Sequence, residues 1–235
     1  MTAALDLSAS HFLFPHIHPE GWKIVVPVLV VGIAGFGALW YLVHSPGWTA
    51  AAGIFVLALS YAIALFFRDP ERYPPPDPAA LVSPADGTVC LVQEVPVPAE
   101  LSASDTPVWR VSVFMSVLDV HVNRMPFDAE LVRRVYVPGK FFNASLDKAS
   151  KDNERMLWLA RTAAGQEFAF VQIAGLVARR IVPFAAEGEK LARGTRFGLI
   201  RFGSRLDVYL PPGVKPAVAP GQTMVAGETT LARLP

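Results

Sequence analysis

Residues 24–43, IVVPVLVVGIAGFGALWYLV, carry no charge, and after the short break His44-Ser45-Pro46-Gly47 the run 48–67, WTAAAGIFVLALSYAIALFF, carries none either. As a helix, each run is about as long as a bilayer's hydrocarbon core, which takes roughly 20 residues. Two arrangements can satisfy such runs: a pair of membrane helices, or a helical hairpin buried in a soluble core. Pro27 and the glycines at 32, 35 and 37 weaken a helix in water but are commoner in membrane helices. Lys23 precedes the first run, Arg68 and Arg72 follow the second, and the connecting loop has neither Lys nor Arg. The positive-inside rule then puts both ends on the cytoplasmic side. Residues 1–22 hold no Lys or Arg, unlike the basic start of a cleaved signal peptide. The expectation is an anchor, within a tail and hydrophobic hairpin over residues 1–67, that holds the chain at the cell membrane.

The charge balance excludes one broad class of function. The formal net charge is +1 with no cluster of Lys and Arg, so nucleic acid is not an expected partner. Cys90 is the single cysteine, which rules out an intramolecular disulfide and fits a cytosolic catalytic part. His11, His16 and His18 lie close together before the hairpin, but no carboxylate or cysteine cluster accompanies them, and no metal site is expected.

After Phe67 the composition changes to RDPERYPPPDP, whose five prolines favour an extended arm. Residues 68–80 therefore read as a linker, and 81–235 as a second domain. Its apolar runs are short or alternating and are punctuated by Gly and Pro: LVSPADGTVCLVQEV, VWRVSVFMSV, RMLWLARTAAGQEFAFVQIAG and RFGLIRF. These predict strands, with a hairpin loop at TAAGQ and one short helix at 144–154. The expected fold is mainly β: a helical hairpin followed by a sandwich-like β domain.

Three short stretches of that domain carry chemistry. Ser83-Pro84-Ala85-Asp86-Gly87 has turn composition, and Asp119-Val-His121-Val-Asn-Arg124 holds the only histidine after the hairpin. In Gly198-Leu-Ile-Arg-Phe-Gly203-Ser204-Arg-Leu-Asp207, a Gly-Ser pair interrupts an apolar run between two arginines. Taken singly, these are a turn, a structural histidine and a turn. SPADGTV and APGQTMVAGETTLARL also look like the halves of a lipoyl-carrier-like module, so a membrane-anchored, non-catalytic adaptor is an alternative. That reading needs a modifiable lysine, commonly beside methionine at a hairpin tip, and no Met-Lys pair occurs. A hydrolase with Ser204 as an ordinary nucleophile is a third reading, and it would leave the chain uncut.

Together, FFRDPER, SPADGTV, DVHVNRMP, PGKFFNASLDKASKDNERM, QIAGLVARRIV and GLIRFGSRLDVYLP closely resemble the short bacterial form of phosphatidylserine decarboxylase. The resemblance spans nearly the whole chain. It implies self-cleavage between Gly203 and Ser204 into a large chain, 1–203, and a small chain, 204–235, which stay associated. It also implies that Ser204 becomes a pyruvoyl group, with no exogenous cofactor. This group forms a Schiff base with phosphatidylserine, which leaves as phosphatidylethanolamine, a step of phospholipid biosynthesis. Asp86 and His121 are the implied proton-transfer partners of Ser204. One departure is visible: better-known members carry a second histidine where this chain has Arg124. Lys140, Lys148, Lys151 and Arg155 are candidates for holding the lipid phosphate or carboxylate, and a solvated helix face is their other reading. A homo-oligomer is left open.

Overall fold

The structure, a computed structural model, describes residues 16–102, 104–142, 152–175, 180–201 and 203–235. The chain divides into two compact units, Met1–Pro70 and Glu71–Pro235.

In the first unit, α1 (Pro19–Val43) starts with a proline at its first position and a His18 cap, whose Nδ1 accepts the Glu20 N–H at 3.2 Å. It ends at His44, and α2 (Pro46–Phe66) follows at once, again behind a proline. Gly32 marks the close approach of the two helices: a Cβ there would lie 2.3 Å from Val56 Cγ1. The most apolar stretches of α1 and α2 are only 6% and 17% buried. That exposure is compatible with a membrane and unlike the mostly buried core helix of a soluble protein. Both are long and apolar enough to cross a membrane.

The second unit is built on an eight-stranded antiparallel sheet. Its order is β12 (Thr223–Met224), β2 (Gly87–Pro96), β3 (Pro107–Met115), β11 (Ser204–Tyr209), β7 (Glu167–Ala174), β6 (Arg155–Arg161), β5 (Ala129–Val137), β9 (Lys190–Leu191). A three-stranded sheet places β10 (Arg196–Ile200) between β4 (Val122–Arg124) and β8 (Ile181–Pro183), and β1 (Ala80–Val82) pairs with β13 (Thr230–Arg233). One core lies between the large sheet and the small ones: Val111, Val113, Leu206 and Phe170 meet Leu81, Phe197, Ile200 and Leu231. The opposite face of the large sheet is also covered, through Leu157, Val171, Ile173 and Tyr209 with Leu101. Being covered on both faces, β7 and β11 are buried almost throughout.

The fold is mainly β behind an apolar helical pair, as expected. The hairpin loop falls at 162–166, between β6 and β7. The two segments with carrier-like composition do come together, through β1 with β13 and β2 with β12. The helix expected at 144–154 lies for the most part outside the described residues, as do Lys148 and Lys151; at its end, Asn153 bridges Lys140 in extended pairing. The proline-rich stretch after Pro70 is tied down within the second unit: the Arg193 guanidinium donates to the carbonyls of Pro75, Asp77 and Ala80.

Candidate active site

β10 belongs to the small sheet and β11 to the large one, so residues 201–203 carry the chain from one sheet to the other. Gly203 makes that crossover in the left-handed region, at φ +65. Among the described residues only Val117 Cγ1, at 4.0 Å, would approach a Cβ there, so the requirement for glycine is conformational and not steric. Ser204 starts β11, paired with Met115 of β3 and Ala174 of β7. It is fully buried, on the strand face that also carries the core residues Leu206 and Val208. Its Oγ has no hydrogen-bond partner among the described residues. A buried hydroxyl without a partner costs free energy, so its presence in a close-packed strand calls for a function.

His121 faces this crossover. Its Nε2 accepts the Gly203 N–H at 3.2 Å, and its Nδ1 lies 2.9 Å from the Asp119 carbonyl oxygen. A carbonyl only accepts and an amide N–H only donates, so the two contacts together fix the neutral tautomer with the proton on Nδ1. The Nε2 lone pair thus points at the backbone of the Gly-Ser turn. The Ile200 N–H donates to the His121 carbonyl at 3.3 Å and fixes the main chain. Two residues on, Asn123 is buried and accepts from Gln172 Nε2 at 2.8 Å, while Gln172 accepts from Trp158 Nε1 at 3.1 Å. This chain of side chains ties the histidine segment to β6 and β7.

Asp86 ends the SPAD turn between β1 and β2. Its Oδ2 accepts from Arg72 Nη2 at 2.8 Å, and its Oδ1 accepts from the Ala226 N–H at 2.7 Å. The turn is held against the histidine segment by the Arg124 N–H, which donates to the Pro84 carbonyl at 2.9 Å. It is also held against β3: a Cβ on Gly87 would lie 2.1 Å from the Phe114 carbonyl oxygen, one residue from the Met115 that pairs with Ser204. The Arg124 side chain is buried and donates to the Gly194 carbonyl at 3.0 Å. Arg155 lies in β6 and pairs with Glu100 at 2.7 Å, and Lys140 lies 5.7 Å over the Phe142 ring.

Two features were not anticipated from the sequence. Arg72, read as a flanking charge of the anchor, is the partner of Asp86. On the strand face opposite Ser204, the fully buried Arg205 binds Asp207 in two hydrogen bonds, Nε to Oδ1 at 2.7 Å and Nη2 to Oδ2 at 2.9 Å. The i, i+2 spacing of these opposite charges is the signal that one face of a strand could have supplied. Beside them, burial and the Asp207 carboxylate push the Tyr209 hydroxyl up to about 12, and burial pushes the Cys90 thiol up. A protonated, half-buried Cys90 is no rival nucleophile to Ser204.

Comparison with known proteins shows the family. The family model described as phosphatidylserine decarboxylase matches residues 59–232. The chain belongs to the phosphatidylserine decarboxylase family. A relative from Ruegeria pomeroyi is 52% identical over 223 residues, covering 95% of this chain and 97% of the relative. One from Novosphingobium aromaticivorans is 49% identical over 230 residues, covering 94% and 88%, and one from Paramagnetospirillum magneticum 49% over 231 residues, covering 98% and 92%. Each of these relatives is described as a phosphatidylserine decarboxylase proenzyme. As a member of the phosphatidylserine decarboxylase family the chain is a decarboxylase, so its carrier-like strand pairs are part of an enzyme fold and not a separate adaptor.

Proposed function

We propose that the chain is a proenzyme that cuts itself between Gly203 and Ser204 and then decarboxylates phosphatidylserine to phosphatidylethanolamine. The observation that carries the reading is the buried Ser204 Oγ, without a hydrogen-bond partner among the described residues, which follows a positive-φ glycine whose N–H donates to the unprotonated Nε2 of His121.

Cleavage follows from that arrangement. Once the Gly203 N–H lets go of His121 Nε2, that nitrogen takes the Ser204 hydroxyl proton as Oγ attacks the Gly203 carbonyl carbon and returns it to the Ser204 nitrogen as the C–N bond breaks, so the peptide becomes an ester with Ser204 bearing a free amine. The left-handed backbone of Gly203, which glycine adopts without strain, lets the turn present its carbonyl to this attack. A base then removes the Ser204 α-proton, the Gly203 carboxylate leaves from the β-carbon, and the resulting enamine hydrolyses to a ketone with release of ammonia. The ketone is the pyruvoyl group at the head of residues 204–235. Ser204 fits this fate because its side chain makes no hydrogen bond to a described residue that the conversion would break.

The pyruvoyl carbonyl supplies an electrophile for the substrate amine and an electron sink for the departing CO₂. The chain's own residues do the rest. His121 holds and returns a proton next to position 204, and Asp86, fixed by Arg72 and the Ala226 N–H, supplies negative charge to the same turn cluster. Arg124, committed to Gly194, contributes charge and not a proton. The helices α1 and α2 span the bilayer with both ends on the cytoplasmic side, which keeps the decarboxylase domain at its substrate; Lys23, Arg68 and Arg72 at the ends of the apolar runs support this sidedness. Purified chain added to phosphatidylserine vesicles should release CO₂ and form phosphatidylethanolamine, and Ser204→Ala should do neither. Equal release by Ser204→Ala would refute the reading.

A further inference from the structure

We propose that Val117 and Leu118 form an apolar tip that dips into the surface of an anionic lipid bilayer beside the Ser204 turn. The inference rests on the reading that the substrate is a membrane lipid, and it adds which edge of the domain meets that membrane.

The tip is the centre of a tight turn, Ser116–Asp119. The Asp119 N–H donates to the Ser116 carbonyl at 3.0 Å, the Ser116 N–H donates to Asp119 Oδ2 at 2.7 Å, and the Leu118 N–H donates to Ser116 Oγ at 3.3 Å. These bonds hold the turn in one shape. Ser and Asp at its ends are the expected turn residues, but its two central positions, where Gly, Pro, Asn, Asp and Ser dominate, carry Val and Leu. Val117 is 54% and Leu118 79% exposed. A rigid turn that presents two adjacent aliphatic side chains to water gains nothing for folding, and such display marks a contact surface.

Its position says which contact. The Asp119 carbonyl of the same turn orients His121, and Val117 is the side chain nearest to where a Cβ on Gly203 would sit. The tip therefore rims the reacting bond. Arg201 lies two residues before Gly203, and its N–H donates to the Arg180 carbonyl at 3.1 Å, which brings the exposed Arg180 to the same end of the small sheet. Arg180 makes no ion pair with another described residue. Two aliphatic side chains held out at the rim of a site read as taking an anionic membrane lipid suit the surface of a bilayer with anionic head groups, where they enter the acyl boundary, and the exposed Arg180 adds positive charge at that end of the small sheet.

The test uses the full chain in lipid nanodiscs of phosphatidylcholine and phosphatidylglycerol, an anionic lipid without an amine to decarboxylate. On a Cys90→Ala background, Leu118→Cys carries an environment-sensitive fluorophore, and Lys215→Cys, exposed at another part of the domain, is the reference. The proposal predicts blue-shifted emission for the label at 118 and at least twofold quenching by nitroxide-bearing acyl chains, with neither at 215. Val117→Cys gives the same reading from the neighbouring side chain, so misfolding of one variant leaves the other to decide. Emission at 117 and 118 as insensitive to lipid as at 215 would overturn the proposal. A blue shift without nitroxide quenching would also overturn it, since a second copy of the chain would then be covering the tip. The fluorescence does not depend on turnover, so its failure is distinct from failure of the decarboxylase reading, which CO₂ release from phosphatidylserine vesicles tests by itself.

Discussion

His121 Nε2 accepts the Gly203 N–H at 3.2 Å while its Nδ1 proton goes to the Asp119 carbonyl, so one neutral imidazole is aimed at the bond that the chain is proposed to cut. Because the same ring stands next to position 204 after cleavage, it is available to both stages. Cleavage happens once per molecule and can finish at a slow background rate, whereas decarboxylation recurs. General acid–base help is worth about a hundredfold to ten-thousandfold per step. His121→Ala should mature slowly and, per pyruvoyl group titrated with a carbonyl reagent, turn over at least a hundredfold more slowly than the parent. Turnover per titrated group equal to the parent's would confine His121 to maturation.

The left-handed backbone of Gly203 gives a prediction that separates conformation from chemistry. Any other residue at φ +65 costs about 1–2 kcal/mol, and no described atom crowds the site closer than 4.0 Å. Gly203→Ala on a Ser204→Ala background, where the chain stays whole, should therefore lower unfolding stability by about that amount in a denaturant titration. Gly203→Ala alone should slow cleavage. A loss well above 4 kcal/mol would mean that a steric clash, and not the backbone angle, fixes the glycine.

Arg72 and Asp86 should behave as one unit. The pair is short, at 2.8 Å, and both side chains are mostly buried. Asp86→Asn and Arg72→Ala should each slow maturation, and the double variant should be little worse than either single one, because the second change removes a contact already lost. Strictly additive effects on the maturation rate would show that Arg72 acts on something other than Asp86.

Tyr209 sets an alkaline limit. Its hydroxyl is pushed from 10.0 to about 12 by burial and by Asp207, so the folded state favours the neutral phenol. The group's contribution is fully present below pH 10 and is lost as pH rises through about 12, up to about 3 kcal/mol in all. Unfolding stability should fall across that window in the parent and more gently in Tyr209→Phe. Parallel curves would deny the linkage.

The parts of the fold that the sequence reveals are those governed by local pattern. Two uncharged apolar runs and the alternation on either side of TAAGQ are enough to place α1, α2, β6 and β7. β5 was not legible, because AELVRRVYV carries charge in its exposed half and becomes a strand by pairing with β6 and β9. In the site, the Gly203-Ser204 turn could be seen as a break in an apolar run, but its meaning came from the resemblance of several long motifs together. The hydrogen-bond partner of His121 Nδ1 was hidden for a physical reason. It is a main-chain carbonyl, which every residue carries, so nothing in the side chain of Asp119 announces it. The partnership of Arg72 with Asp86 was hidden because a cation after an apolar run satisfies the positive-inside rule whether or not it also binds a carboxylate.

The central claim is that Ser204 is consumed by its own chain, and intact mass spectrometry of the purified protein tests it most directly. The account predicts two products, residues 1–203 and residues 204–235, the smaller lighter by one ammonia than the same peptide with a free serine terminus and refractory to amine-terminal sequencing. Ser204→Ala should give one chain of full length. A parent protein that decarboxylates phosphatidylserine while remaining a single uncut chain, or a small product that begins with an unmodified Ser204, would contradict the account.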